Sequence, residues 1–187
     1  MTRIAFLAAP LAMTGYGITR IIGRLDDNYG PGADWQIAHA FGLAGMLLFI
    51  PVILTMRPLM RTAATPVTAI TLTGLATTIV QFSADMILAL AATDRTDLKT
   101  LQHQFADLPG VQLAVYDVGP MLFFLGIATI AALTAAAGNL PWWSPALMLT
   151  AVLLPVADLN LMPLTGLLIL AALHPLTRTR TPIPTSA

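Results

Sequence analysis

The chain has 187 residues, of which 57% are hydrophobic and only 10% are charged. The charged residues are nine Asp, eight Arg and one Lys, and the formal net charge is zero. Because an ordinary soluble domain carries about 25% charged residues, this composition excludes a soluble globular enzyme and a disordered chain. Without a basic stripe it also excludes a nucleic-acid binder, and without cysteine it excludes disulfides and thiolate chemistry. An integral membrane protein of one domain remains.

Five apolar stretches are each long enough to cross a bilayer, which takes about 20 residues. They predict an all-α integral membrane bundle of five transmembrane helices over residues 1–174, followed by a disordered tail at 175–187. Arg3 precedes the first stretch as in a signal peptide, but no A-x-A-type cleavage site stands out, which favours a retained helix. The predicted spans cover residues 4–23, 35–56, 66–92, 111–137 and 145–173.

The last span is long for one helix, and Pro155 and Pro163 predict a kink in it. The direction of insertion stays open. One face of this five-helix arrangement carries three Arg, whereas the other carries more Lys and Arg together with six Asp. The number of cations places the second face in the cytoplasm, while the acid-free segment 57–65 favours the reverse.

Four charged residues lie inside the predicted spans: Arg20, Asp85, Asp117 and Asp158. Each costs roughly 2.5–3.5 kcal/mol at mid-span, so such residues are functional candidates. Counted along the helices, the first three and His39 fall about 9–10 Å from the midplane on one side. Asp158 falls near the midplane. These positions predict one polar pocket that opens toward the loops at 24–34 and 93–110.

Helical spacing adds further residues to this pocket. Thr71, Thr78, Gln81 and Asp85 form one polar stripe on the third span. No metal or cofactor is expected, since a single His lies within a span. The expected catalytic residues are Asp85, Asp117, Asp158 and His39. The expected substrate-binding residues are Tyr16, Arg20, Trp35, Gln81, Tyr116 and Asn160.

Carboxyl groups in an apolar pocket suit acid–base chemistry. One can stay protonated while a neighbour is held ionised, and the two can donate and later remove a proton. This favours an integral membrane enzyme for cyclisation, isomerisation or epoxide opening of a lipophilic, isoprenoid- or polyketide-like substrate. Two alternatives stay open: a non-catalytic membrane subunit or scaffold, and a small proton-coupled transporter or self-protection protein. Partners are then membrane lipid and a hydrophobic small molecule, and an oligomer stays open. For a scaffold, small residues such as Gly42 and Gly45 would form helix-packing faces.

Several features resemble those of small multi-pass membrane proteins of bacteria: the pattern W-x-x-x-H from Trp35 to His39, the segment 119–126 and the segment 140–142. The intramembrane acids are also similar to those of the membrane-bound terpene cyclases. The resemblance implies a buried carboxylate that protonates an isoprenoid, and it assigns no role to a particular residue.

Overall fold

The computed structural model describes residues 2–25 and 29–178, and these contain α-helices and no strand. The all-α prediction is confirmed. A π-helix at Gln112–Val118 and 3-10 turns at Arg57–Leu59 and Leu159–Leu161 join the longer elements. The α-helices are α1 Thr2–Ile22, α2 Ala33–Met56, α3 Ala64–Ala91, α4 Arg95–Ala106, α5 Gly119–Ala136, α6 Trp143–Ala157 and α7 Met162–Arg178.

Five helical segments of the described chain are long and apolar enough to cross a membrane, and they contain α1, α2, α3, α5 and α7. The chain is therefore a multi-pass membrane protein. The first four predicted spans correspond to α1, α2, α3, and the π-helix with α5. With 15 residues, α6 is shorter than the other apolar helices.

The predicted fifth span is a pair of antiparallel helices rather than one kinked helix. After α6, Asp158 adopts an extended conformation with φ of −157°, and the chain folds back into α7. Thr165 Oγ1 of α7 donates a hydrogen bond of 3.0 Å to the carbonyl of Ala151 in α6. Pro163 lies in the first turn of α7, where its missing N–H costs no helical hydrogen bond.

The C-terminal boundary also differs from the prediction. The helix α7 continues to Arg178, so residues 175–178 of the predicted tail are helical. The rest of that tail, residues 179–187, lies outside the described residues.

The six apolar helices form a closed ring in which each packs antiparallel to its neighbours. α1, α2, α3, α5, α6 and α7 follow one another around the ring, and α7 returns to α1. At this closing contact Gly17 lies against Pro163, and Gly166 lies against Thr14. Large apolar side chains fill the interior, including those of Met13, Phe49, Phe123, Met148 and Ile169.

The ring has two ends. Side A consists of the start of α1, the connections 57–63 and 137–142, and the end of α7. Side B consists of the described connection residues 23–25 and 29–32, the segment 92–118 with α4 and the π-helix, and the turn 158–161. It also includes the adjoining helix ends, which are residues 20–22 of α1, 33–34 of α2 and 85–91 of α3. The hairpin of α6 and α7 therefore places the end of α7 on the same side as the start of α1.

The helix α4 lies in a segment that the sequence analysis treats as a loop. Asp94 Oδ1 accepts hydrogen bonds from the backbone N–H groups of Thr96 and Asp97, at 2.7 and 2.9 Å. In return, Asp97 Oδ2 accepts one from the N–H of Thr93 at 2.9 Å. These side-chain bonds stabilise the start of the helix, and Leu98 is buried beneath it.

We predict that Gly166→Ala weakens the closure of the ring. A Cβ at this position meets the carbonyl oxygen of Pro10 at 2.6 Å and the backbone nitrogen of Thr14 at 2.7 Å, and backbone atoms cannot rotate away. Overpacking of this kind costs about 1–3 kcal/mol. The measurement is the melting temperature of the purified protein in detergent.

Gly45→Ala is the matched control, because a Cβ there comes no closer than 3.3 Å to a neighbour, the Ala9 carbonyl oxygen. The better helix propensity of Ala, about 1 kcal/mol, should offset that tight contact. Equal melting temperatures for the two variants would contradict the role given to the α1–α7 contact.

Candidate functional site

Asp85 is buried on α3 near side B, and three other elements reach its side chain or backbone. Gln102 of α4 donates from Nε2 to Oδ1 at 2.8 Å, and Tyr116 of the π-helix donates from its hydroxyl to the same oxygen at 3.5 Å. On the other side, Oδ2 lies 4.0 Å from His39 Nε2 of α2. Trp35 Nε1, also of α2, donates to the backbone carbonyl of Asp85 at 3.3 Å. We call these five residues the Asp85 cluster.

The orientation of His39 follows from its second ring nitrogen. Nδ1 lies 2.8 Å from the backbone carbonyl oxygen of Trp35. Because a carbonyl oxygen can only accept, Nδ1 carries the hydrogen, and Nε2 of the neutral ring presents its lone pair toward Asp85. An acidic and a basic side chain therefore face each other across 4.0 Å, with no hydrogen bond between them in this structure.

Three aromatic rings surround this imidazole. Trp35 stacks on His39 with centroids 4.2 Å apart and planes at 21°. Tyr16 meets its ring edge-on at 5.8 Å, and Phe82 lies 5.6 Å away. Since His39 is only 5% exposed, the His39–Asp85 pair lies in a largely apolar wall.

Two openings meet at Tyr116. The first is a cavity of about 220 Å³ between α4 and the π-helix, which we call the vestibule; it is lined by Lys99, Gln102, His103, Ala106, Gln112 and Tyr116. The second is an apolar groove of about 430 Å³ between α5 and α6, which we call the α5–α6 groove; its lining includes Tyr116, Pro120, Met121, Phe124, Val152 and Pro155. Tyr116 therefore lines both openings and also bonds Asp85, and Gln102 links the vestibule to Asp85 in the same way.

The sequence accounts for the unusual backbone at Tyr116. Pro120 has no N–H, so it cannot donate the bond that an α-helix makes to the carbonyl of Tyr116, four residues earlier. The segment Gln112–Val118 forms a π-helix there. Short π-helical segments are frequent at functional sites, and this one carries a side chain that reaches Asp85.

Two of the predicted catalytic residues lie outside the cluster. Asp117 is exposed at the mouth of the α5–α6 groove, where its Oδ1 accepts a hydrogen bond of 2.9 Å from Gln112. Asp158 is exposed at the side B turn instead of lying near the midplane, because the predicted fifth span is a hairpin. Its Oδ1 accepts from the backbone N–H of Asn160 at 2.8 Å and so caps the turn.

Among the predicted substrate-binding residues, Tyr16, Trp35 and Tyr116 contact His39 or Asp85, whereas Arg20 and Asn160 form a separate contact. Arg20 is 7% exposed, and its Nη1 donates a hydrogen bond of 3.1 Å to Asn160 Oδ1. This bond ties α1 to the turn of the hairpin. Gln81 is half-buried, and its side chain makes none of the hydrogen bonds found among the described residues.

Two residues of the site, Gln102 and Phe82, are not among those predicted from the sequence. Leu98, Leu101, Gln102 and Phe105 follow the spacing of one face of a helix, which points Gln102 inward with the apolar residues. Phe82 is three residues before Asp85 and so shares its side of α3.

Comparisons of the chain with protein-family models, with curated proteins and with solved structures find no match. What the cluster does is therefore inferred from its own geometry.

We predict that Gln102→Leu loosens α4. The substitution removes the 2.8 Å hydrogen bond to Asp85 and leaves a buried carboxyl oxygen with the weaker Tyr116 contact, at a cost of about 1–3 kcal/mol. Hydrogen exchange of the α4 amides should become faster. Gln104→Leu is the control on the same helix, since Gln104 is exposed; unchanged α4 exchange in Gln102→Leu would contradict the contact.

Proposed function

We propose that the protein is an enzyme of the cell membrane in which Asp85 and His39 carry out acid–base chemistry on a lipophilic substrate. The observation that supports this most directly is the approach of His39 Nε2 to Asp85 Oδ2, 4.0 Å apart within the aromatic wall. A buried carboxyl group and a buried imidazole that face each other are costly in a membrane helix, and proton transfer is a use that requires both.

The chemistry balances without a co-reactant. Protonated Asp85 donates its hydrogen to an alkene, a carbonyl or an epoxide oxygen, and His39 Nε2 accepts a proton from another position of the substrate. The proton then returns from the imidazolium to the carboxylate, which restores the starting state. The substrate leaves with the same atoms in a new arrangement, as in an isomerisation or a cyclisation. The rings of Tyr16 and Trp35 favour a developing positive charge through their faces.

The α5–α6 groove supports a lipophilic substrate. It is apolar, it opens on the lipid-facing surface between two membrane helices, and its polar end is formed by Tyr116 and Asp117. The Tyr116–Asp85 hydrogen bond is long, at 3.5 Å, so its loss costs little. Rotation of this side chain then gives a molecule in the groove access to Asp85. An isoprenoid- or polyketide-like chain fits these requirements.

A proton-coupled transporter is less well supported. Its polar route would have to continue to side A, but the ring beyond the cluster is filled by buried apolar side chains such as Phe49, Phe123 and Ile130. A scaffold would leave the facing Asp85 and His39 without a use.

The test compares Asp85→Asn and His39→Gln with Asp158→Asn, each expressed in the same host membrane. Untargeted mass spectrometry of lipid extracts should show a lipophilic product with the wild type and with Asp158→Asn. Loss of a general acid or base should reduce this product by about 10²- to 10⁴-fold in the cluster variants. Asp158→Asn is the matched control because it makes the same Asp-to-Asn change outside the cluster. The new Asn side chain also accepts the hydrogen bond from the Asn160 N–H that caps the turn.

Elution profile and melting temperature in detergent report whether each variant folds. Wild-type product levels with Asp85→Asn would contradict the proposal. So would unfolding of both cluster variants while Asp158→Asn stays folded, because that result assigns Asp85 and His39 a structural role.

A further inference from the structure

We infer that side A faces the cytoplasm and binds the anionic phospholipid headgroups of that leaflet, so that the vestibule and the Asp85 cluster open on the opposite side of the membrane. The inference rests on the proposed function only where it treats side B as the side on which catalysis takes place. Charge and topology support the orientation without any reference to catalysis or a substrate.

The two sides differ sharply in charge. Side A carries four arginines in the described residues and no Asp. Side B carries all seven described Asp residues together with four cations. The arginines of side A are Arg3, Arg57, Arg61 and Arg178. The Asp residues of side B are Asp34, Asp85, Asp94, Asp97, Asp107, Asp117 and Asp158, and its cations are Arg20, Arg24, Arg95 and Lys99.

The hairpin decides this distribution. If residues 145–173 formed one span, Arg178 would lie on side B, and the cations would favour that side as the cytoplasmic one. Because α6 and α7 fold back on each other, Arg178 lies on side A instead. On side B, Arg20 is buried and bonded to Asn160, so it is not a loop charge of the kind that sets orientation.

Two fields favour the same orientation. The cytoplasmic leaflet carries a negative surface potential that attracts Lys and Arg and repels Asp. The membrane potential, negative inside, favours the anionic side on the outside. Side A also has an anchor at the headgroup level, since Trp142 is 85% exposed there and exposed Trp side chains prefer the membrane interface.

The chain contains no cysteine, which makes a direct test possible. Thr62→Cys introduces one thiol in an exposed connection of side A, and Gln104→Cys introduces one on the exposed surface of α4 at side B. Cells or spheroplasts are treated with a membrane-impermeant maleimide before and after permeabilisation. We expect Gln104→Cys to be labelled in intact cells and Thr62→Cys only after permeabilisation.

The reverse pattern, or equal labelling of both thiols in intact cells, would overturn the inference. A second test changes the charges of each side. The double variant Arg57→Gln/Arg61→Gln should increase the fraction of molecules inserted in the opposite orientation by about tenfold. The double variant Arg95→Gln/Lys99→Gln should not increase this fraction. Equal inversion by both pairs would contradict the binding of side A to anionic headgroups.

Labelling does not depend on turnover, so this inference and the proposed function can fail separately. Reversed labelling with an inactive Asp85→Asn variant would overturn only the orientation. The expected labelling with a fully active Asp85→Asn variant would overturn only the proposed function.

Discussion

Gly17 against Pro163 and Gly166 against Thr14 form the contact on which the rest of the structure depends. Neither glycine position has room for a side chain, so α1 and α7 approach as closely as small residues allow in membrane helices. This approach closes six helices into a ring with an interior. It also brings Arg20 to Asn160, which gives a buried guanidinium group a partner at the level where α1 ends.

The ring explains how polar groups are tolerated at side B. The polar atoms near Asp85 come from three other elements, α2, α4 and the π-helix, so no single helix carries a strongly polar face into lipid. Gln102, the closest donor to the carboxyl group, comes from α4, which does not cross the membrane. The state of the cluster is therefore coupled to a segment that contacts water, and a change in the packing of α4 directly alters the environment of Asp85.

The sequence predicts the fold class, four of the spans, and the group formed by His39, Asp85, Trp35 and Tyr116, because periodicity and span ends fix depth on continuous helices. It fails where an apolar run hides a turn. Asp158 followed by Pro163 is a helix-start signal, but hydrophobicity alone does not separate one long helix from two short ones. Asp117 points away from Asp85 because it lies on a π-helix. The residue spacing of an α-helix, from which the pocket is predicted, does not apply to that segment.

The shortness of α6 has a consequence for the surrounding bilayer. Its 15 residues extend about 22 Å, whereas the hydrocarbon core is about 30 Å thick. A helix shorter than the hydrocarbon core is accommodated by thinning of the adjacent bilayer, by snorkelling of flanking side chains or by association with other helices. Because α6 forms one wall of the α5–α6 groove, any such adjustment falls at the surface that contains Tyr116.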